Sequence, residues 1–365
     1  MSKALNMKFF SLALVFFASI SFATANTSSD SSDGEKDLKT EINEYIQHHL
    51  QDSYDFSLYS YTNSEHEHVY IGFPLPVILW DNGLQVFSSS KLHHGDAIAE
   101  VNGNYYALIH GKIYKGEAGV SIDQMKEALE HDHHAYHKIM NDFSITKSVV
   151  MMLLTGLLMF WLFSSLAKSY AKNKGIPTGF ARIFEPIVLY IRDDIAEPNI
   201  GPNYKKYMSY LLTIFFFVWF LNLFGLTPLG VNVTGNIAVT FGLALLTFLI
   251  TNLTGNKNYW GHIFWMPGVP VPMKILLAPI ELLGVIIKPF ALMIRLWANM
   301  SAGHIVLMSI IGLMFIFHSW LGSSLSFLLS FVLAILELLV AALQAYIFTM
   351  LSALYFGFAN EEAHH

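Results

Sequence analysis

The sequence contains no cysteine, few charged residues and no phosphate-binding glycine motif. The absence of cysteine excludes disulfide bonds and cysteine-ligated metal sites in this chain of 365 residues. Charged residues make up 13% of the chain and hydrophobic residues 54%, whereas a typical soluble domain has about 25% charged residues. The net charge of -6 and the lack of a basic cluster argue against a nucleic-acid partner. No G-x-x-x-x-G-K-[ST] motif is present to bind nucleotide phosphates. These properties indicate a membrane protein.

The first 40 residues predict a secretory leader followed by a linker. Residues 1–25 begin with the basic residues Lys3 and Lys8, continue with a short apolar stretch and end in Ala-Thr-Ala, as a signal peptide does. An uncleaved anchor helix is the alternative. Residues 26–40 are rich in serine and aspartate and predict a disordered linker. With either leader, the next segment is expected outside the cytoplasm.

Residues 41–140 are polar and predict a small extracytoplasmic domain with mixed α/β structure. Asp81, Asn82 and Gly83 are typical of a hairpin turn, and Ser121 followed by Gln124 is typical of a helix N-terminus. The predicted helices cover residues 41–50 and 121–140, and the predicted strands cover residues 70–79, 83–87 and 105–109. The β-rich part, about residues 65–115, has no role that the sequence reveals.

Histidines are frequent in this domain. His133 and His137 would lie one turn apart on the predicted helix over residues 121–140, a spacing that can bind zinc or copper. A solvated, pH-responsive surface is the alternative that we favour, so we predict no metal and no cofactor.

Residues 141–360 are predicted to form an all-α, multi-pass membrane domain with five membrane helices. The last two apolar segments are much longer than a bilayer is thick, since about 40 helical residues extend about 60 Å. We therefore predict a hairpin of two long, strongly tilted helices, with Pro279 and Pro289 as candidate kinks. An amphipathic segment over residues 180–196 predicts a helix at the cytoplasmic interface. The predicted spans cover about residues 147–168, 207–226, 236–253, 275–317 and 323–358.

Loop charges predict the orientation. The connections after the first and third spans carry lysines and arginines, whereas residues 227–236 and 318–324, which follow the second and fourth spans, carry none. By the positive-inside rule the first and third connections are cytoplasmic. The N-terminus is then periplasmic and the C-terminus cytoplasmic, in agreement with the predicted leader.

Arg295 lies in an apolar stretch, where a charge at bilayer depth costs about 2.5–3.5 kcal/mol on insertion scales. Glu281, Lys288 and Arg295 are spaced by seven, and Asn299 follows four residues later, so the four share one helix face. Lipid cannot satisfy polar groups, so this face is expected to meet protein or water. Hydrogen bonding between helices is the alternative to a polar path through the membrane.

A second polar stripe lies on the last helix, where Glu337 and Gln344 repeat the spacing of seven. His304 follows Arg295 by nine residues, half a turn around the helix, so we expect it to face the last helix and to pair with Glu337. A His–Glu pair can hold and release protons near neutral pH.

Several segments closely resemble subunit a of the rotary F-type ATP synthase. The longest covers residues 281–304, with the sequence ELLGVIIKPFALMIRLWANMSAGH. The shorter ones are residues 202–204 (PNY), 222–228 (NLFGLTP), 234–238 (TGNIA) and 343–348 (LQAYIF). The resemblance covers about residues 140–360.

This resemblance implies the proton-translocating stator subunit of the membrane sector, in a bacterial inner membrane. Such a subunit is not an enzyme on its own. Through two aqueous half-channels it loads and unloads the carboxylates of a rotating c-ring. The other implied partners are the b-subunit peripheral stalk, the rest of the ATP synthase complex, the lipid bilayer and protons.

The resemblance also implies residue roles. Arg295 matches the family's essential arginine, while Asn299, Glu281 and Gln344 match positions that line the half-channels. His304 and Glu337 stand where many bacterial relatives have glutamate and histidine respectively, so the acid and the imidazole are exchanged in this chain.

Two other functions stay open at this stage. One is a secondary transporter that binds an anionic substrate through Arg295, and the other is a membrane assembly subunit without transport. A repeated half with discontinuous helices would favour the transporter, and the sequence contains no such repeat.

Overall fold

The computed structural model describes residues 42, 46, 51–62, 68–132, 135–174, 176, 179, 181–227, 231–266, 268–316 and 320–360. The predicted leader, the predicted linker and most of the predicted helix over residues 41–50 lie outside the described residues. The described chain has an N-terminal, strand-rich domain followed by long apolar helices.

The described part of the N-terminal domain is built from antiparallel strand pairs, an α-helix and a 3-10 helix over Ser89–Gly95. Strands β1 and β2 form one pair, β3 and β4 a second, and β5 to β8 a four-stranded sheet. The elements are β1 (Asp55–Thr62), β2 (His68–Pro74), β3 (Pro76–Trp80), β4 (Leu84–Ser88), β5 (Ile98–Val101), β6 (Asn104–Ile109), β7 (Lys112–Gly116), α1 (Ile122–His131) and β8 (His137–Lys138).

The predicted strand over residues 70–79 is wrong in its extent, because the chain forms two strands that divide at Leu75. Pro74 and Pro76 flank this point, and a proline has no N–H to donate to a continuous ladder. β2 therefore pairs with β1, whereas β3 pairs with β4. The predicted turn joins β3 to β4, with positive φ angles of 49° at Asn82 and 125° at Gly83.

The predicted helix over residues 121–140 is correct at its start and wrong at its end. Ser121 and Gln124 form the predicted capping box of α1, but the helix ends at His131 because Asp132 is extended. His137 lies in β8, which pairs with β7. His137 is therefore not on a helix, and the helical metal pair is wrong. His133 lies outside the described residues. No group of three potential metal-ligating side chains occurs in the described part of the chain.

The described residues contain five helical stretches that are long and apolar enough to cross a membrane. They confirm the predicted multi-pass fold class with a small strand-containing N-terminal region. The helices are α2 (Lys147–Lys172), α3 (Ala181–Tyr190), α4 (Tyr204–Gly225), α5 (Ile237–Thr254), α6 (Lys257–Phe264), α7 (Val271–Ile316) and α8 (Trp320–Asn360). The sequence analysis did not predict the short helix α6.

The last two helices are the longest. Helix α7 has 46 residues and α8 has 41. At 1.5 Å per residue these lengths correspond to about 69 and 62 Å, about twice the hydrocarbon thickness, so both helices must lie tilted in a bilayer. Pro279 and Pro289 lie inside α7 without ending it. The two helices pack against each other as a hairpin.

The predicted interface helix over residues 180–196 has a more complex form. It begins as α3, becomes a π-helix over Ile191–Ala196, and reaches α4 through the short turns Glu197–Ile200 and Gly201–Asn203. Helix α8 crosses this segment closely at Gly357, where a Cβ atom would lie 2.0 Å from the Asn199 carbonyl oxygen.

The largest buried cluster joins α4, α7 and α8. It includes Leu211, Phe216, Leu296, Met300 and Phe356, which are almost fully buried. This packing fixes the faces that α7 and α8 present to each other.

The N-terminal domain runs directly into the first membrane helix. Residues 141–145 hydrogen-bond along β3, with distances of 3.0 Å from Trp80 N to Asn141 O and 2.9 Å from Phe143 N to Ile78 O. The domain therefore extends beyond the predicted end at residue 140 and stops one residue before the N-cap of α2.

Candidate functional site

His304 and Glu337 form the contact that their positions on the two long helices predict. His304 Nδ1 lies 2.8 Å from Glu337 Oε1, and both residues are 5% exposed. His304 Nε2 lies 3.1 Å from the carbonyl oxygen of Gly225, the last residue of α4. One imidazole therefore joins α7 to both α8 and the end of α4.

The second contact of His304 fixes its protonation at one nitrogen. The Gly225 carbonyl can only accept, so Nε2 must carry a proton. The remaining proton is shared between Nδ1 and Glu337: a protonated carboxyl group can donate to a neutral imidazole, or an imidazolium can donate to a carboxylate. Both arrangements are neutral as a pair, which suits a buried site. The pair can thus pass one proton between an acid and a base 2.8 Å apart.

Glu337 keeps one oxygen free within the described structure. Its Oε2 atom is buried and has no hydrogen-bond partner there. Since an unsatisfied buried acceptor is costly, this oxygen is a natural place for a transferred proton. Gly303 makes room for the carboxyl group, because a Cβ atom at Gly303 would lie 3.0 Å from Glu337 Oε1.

A polar framework extends from this pair along the end of α4 and the start of α5. Asn222 is fully buried; its Nδ2 donates to the Ala341 carbonyl of α8 at 3.3 Å, and its Oδ1 accepts from Thr234 at 2.8 Å. Ser301, three residues before His304, donates to the Gly235 carbonyl at 3.4 Å. The 231–236 loop therefore contacts α7 beside the His304 side chain.

Arg295 lies on a different, exposed face of α7. Neither Arg295 nor Asn299 is covered by the described chain. The neighbouring side chains on this face are small or apolar and exposed, among them Ala291, Ala302 and Val306. Arg295 forms no ion pair within the described residues, where the four ion pairs involve other side chains. An arginine on an apolar, uncovered surface at membrane depth needs an anion from outside the chain.

The other predicted site residues flank these two features. Glu281 and Lys288 are half-buried on α7, and the Lys288 ammonium lies 5.6 Å from the centre of the Tyr355 ring on α8. Gln344 is 4% exposed, two turns beyond Glu337 on α8. The predicted stripe is therefore divided: its central part around Arg295 is open, and its start is covered by α8.

Sequence reasoning missed the supporting groups. The Gly225 and Gly235 carbonyls, Asn222, Ser301 and Gly303 hold or surround the His304–Glu337 pair, and none of them was predicted to do so. Asn222 and Gly225 belong to the 222–228 motif. The sequence showed that this motif resembles the family but assigned no function to its residues. Backbone carbonyl acceptors, such as those of Gly225 and Gly235, cannot be recognised from the pattern of side chains in a sequence.

These features define a class of protein: a multi-pass membrane protein with a buried acid–imidazole pair and a separate, uncovered intramembrane arginine. Residues 149–357, more than half of the chain, match the family described as ATP synthase A chain. The chain belongs to this family.

Several proteins that are similar to this chain are named ATP synthase subunit a or ATP synthase subunit a 2. An ATP synthase subunit a of Pelodictyon phaeoclathratiforme is 45% identical over 232 residues, which cover 61% of this chain and 68% of that protein. An ATP synthase subunit a 2 of Prosthecochloris aestuarii is 43% identical over 309 residues, covering 80% of this chain and 92% of that protein. An ATP synthase subunit a of Myxococcus xanthus is 43% identical over 230 residues, covering 61% and 75%.

The N-terminal domain matches a second family. Residues 45–144 match the family described as a domain of unknown function, DUF8433. The two matched regions meet between residues 144 and 149, where the structure changes from the strand-rich domain to α2.

Proposed function

We propose that this chain is the ion-translocating stator subunit of an ATP synthase and that Arg295 faces the carboxylates of a rotating c-ring. Family membership makes the chain a component of the ATP synthase complex. The single observation that carries the finer proposal is the exposure of Arg295 on an apolar face of α7 without an anion of its own.

A passing carboxylate supplies the missing anion. In lipid the carboxylate must be protonated, because a charge there costs several kcal/mol. Beside the Arg295 guanidinium the ionised form is favoured, so the carboxylate releases its proton. Arg295 itself holds its protons. It therefore also separates two aqueous half-channels, one on either side of it.

The His304–Glu337 pair serves the outer half-channel in this proposal. His304 lies on the α7 segment that follows Arg295, and Glu337 faces it from α8. This part of α7 is next to the 231–236 loop, which the positive-inside rule assigns to the outside. Glu281 and Lys288 lie on the other side of Arg295, toward the cytoplasm. Asn299 and Gln344 lie along the path, and the N-terminal domain lies outside.

The free energy released by each charge that crosses the membrane determines how many ring steps are needed for one ATP. Each charge that crosses 100 mV releases about 2.3 kcal/mol, so several ring steps drive one synthesis of ATP. A secondary transporter fits less well, because α7 and α8 run without interruption past Arg295 and Glu337, whereas such transporters bind anions at discontinuous helices.

Photo-crosslinking tests the proposed partner directly. The chain has no cysteine, so Ala291→Cys and Ala302→Cys each place one thiol on the exposed face of α7, four residues before and seven after Arg295. After labelling with benzophenone maleimide in the assembled complex, both positions are expected to crosslink to the small carboxylate-bearing ring subunit.

Gly156→Cys on α2 is the matched control, since Gly156 is exposed with open space around it. It is expected to give no adduct with the ring subunit. Adducts of the two α7 positions with lipid alone, in a complex that contains the ring, would overturn the proposal.

A further inference from the structure

A cavity lies where the N-terminal domain meets the membrane helices. Its volume is about 280 Å³, which is room for several water molecules. Its polar lining comes from both parts of the chain and includes Asp52, Lys147, Ser148, Asn232 and Asn236, and Trp297 of α7 also lines it.

Asp52 ties the N-terminal domain to two membrane helices. Its carboxylate accepts hydrogen bonds from Ser148 N at 3.1 Å and Thr146 Oγ1 at 2.9 Å, both at the N-terminus of α2. It also accepts from Asn236 Nδ2 at 3.3 Å, and Asn236 is the N-cap of α5. These donors hold the Asp52 carboxylate at the N-termini of two helices. Asp52 is thus an anchored acidic side chain in the cavity wall.

Lys147 is the basic residue of the cavity lining. It is 6% exposed and makes no ion pair with any described residue. A buried ammonium needs hydrogen-bond acceptors, and water in the cavity can supply them.

The cavity touches the face of α7 that carries His304, through Trp297. Trp297, Ser301 and His304 are spaced by four and three residues, so they share one face of the helix. Trp297 lines the cavity, and Ser301 donates to the carbonyl of Gly235, which also lines it. Arg295 and Asn299 lie on the exposed face instead.

From this continuity we infer that the N-terminal domain forms the outer mouth of the proton path. The cavity admits water and hydronium to the His304–Glu337 pair, and the Asp52 carboxylate raises the local proton concentration. This inference rests on the function proposed above. It assigns a role to the domain of residues 45–144.

Thiol modification from the outer side tests the mouth. Ser148→Cys is close in size and puts a single thiol in the cavity wall. Spheroplasts are treated with a small cationic methanethiosulfonate, and ATP-driven proton pumping is then measured in inverted vesicles. Pumping by Ser148→Cys is expected to fall at least tenfold after labelling. Ser90→Cys, an exposed position of the same domain outside the cavity, is expected to be labelled without loss.

The outcomes are distinct. A thiol introduced by Ser148→Cys that reacts without loss of pumping, or that does not react from outside, would overturn this inference. Asn232→Cys repeats the test if Ser148→Cys does not assemble. Wild-type vesicles that pump no protons would instead contradict the proposed function.

The charge of Asp52 has its own readout. Asp52→Asn keeps an oxygen acceptor but removes the charge, so the outer pH for half-maximal ATP synthesis is expected to fall by about half a unit at low salt. The shift should shrink at high ionic strength, because salt screens the charge. A purely structural role would lower the rate without moving the pH profile, and that result would contradict the electrostatic part of the inference.

Discussion

At the scale of single residues, the His304–Glu337 contact is the most specific prediction that helix geometry made. Nine residues from Arg295 place His304 on the opposite face of α7, and the structure puts it 2.8 Å from Glu337. In the proposed function, relay and charge barrier are thus separate parts of the site. The Gly225 carbonyl that fixes the His304 tautomer could not be predicted, because its position depends on how α4 ends.

A double-mutant cycle tests whether His304 and Glu337 act as a unit. His304→Ala and Glu337→Ala are each expected to lower proton-driven ATP synthesis strongly, because each leaves the other group buried and unpaired. The double change should cost less than the sum of the two single changes. Rates in membrane vesicles, normalised to the amount of assembled complex, provide the measurement. Strictly additive losses would count against coupling.

Gly303→Ala tests the space that the Glu337 carboxyl group needs. The added Cβ would lie 3.0 Å from Oε1 and 3.3 Å from Cδ, so the carboxyl group must shift by a few tenths of an ångström. We expect proton-driven synthesis to fall several-fold with normal assembly. Gly284→Ala is the control on the same helix, since nothing lies within 4 Å of its Cβ position. Equal activities of the two variants would show that the spacing is unimportant.

At the scale of helices and strands, apolar length decided what could be predicted. The five spans and the long terminal hairpin follow from uninterrupted apolar residues, and α7 and α8 have the expected excess length. Local sequence predicted the helices and strands less well where pairing between distant segments determines where they end. Helix α1 stops at His131 with Asp132 extended, and His137 and Lys138 pair with β7. No pattern around residue 131 predicts that pairing. The amphipathic pattern predicted a regular helix and did not predict the π-helical stretch Ile191–Ala196.

The strand-rich domain has a defined acid-sensitive link between β3 and β7. Lys115 Nζ lies 2.6 Å from Asp81 Oδ2, and this hydrogen bond holds the pKa of Asp81 below its ordinary value. A depressed folded-state pKa stabilises the fold above the unfolded-state pKa of about 4, and the stabilisation is lost as the pH falls through the folded-state value. Burial together with Asp81 also raises the pKa of Tyr106 to about 12.

Asp81→Asn is therefore expected to destabilise the domain by about 1–2 kcal/mol at neutral pH. The difference from wild type should shrink as the pH falls below the unfolded-state pKa and through the lower folded-state pKa of Asp81. Hydrogen-exchange protection of β6 and β7 amides in the full-length protein measures it. Glu117→Gln, a change at an exposed carboxylate, should have little effect at either pH. A difference between Asp81→Asn and wild type that does not change between neutral and acidic pH would refute the assignment.

At the scale of the whole molecule, the structure separates three regions by their surroundings. The N-terminal domain meets the bundle through Asp52, the buried pair lies between α4, α7 and α8, and Arg295 lies on the uncovered side of the hairpin. The spacing of Glu281, Lys288 and Arg295 predicted that these residues lie along one face of α7. It could not predict which part of that face is open, because coverage depends on where α8 crosses α7.

The central claim is that Arg295 discharges carboxylates of a partner ring, and proton-driven ATP synthesis by Arg295→Ala tests it most directly. Inverted vesicles carrying the assembled complex are given a fixed proton gradient, and Lys274→Ala, at a cation near the start of the same helix, serves as control. The account predicts that Arg295→Ala abolishes synthesis while the ring still copurifies, and that Lys274→Ala retains it. Substantial synthesis by Arg295→Ala would contradict the account.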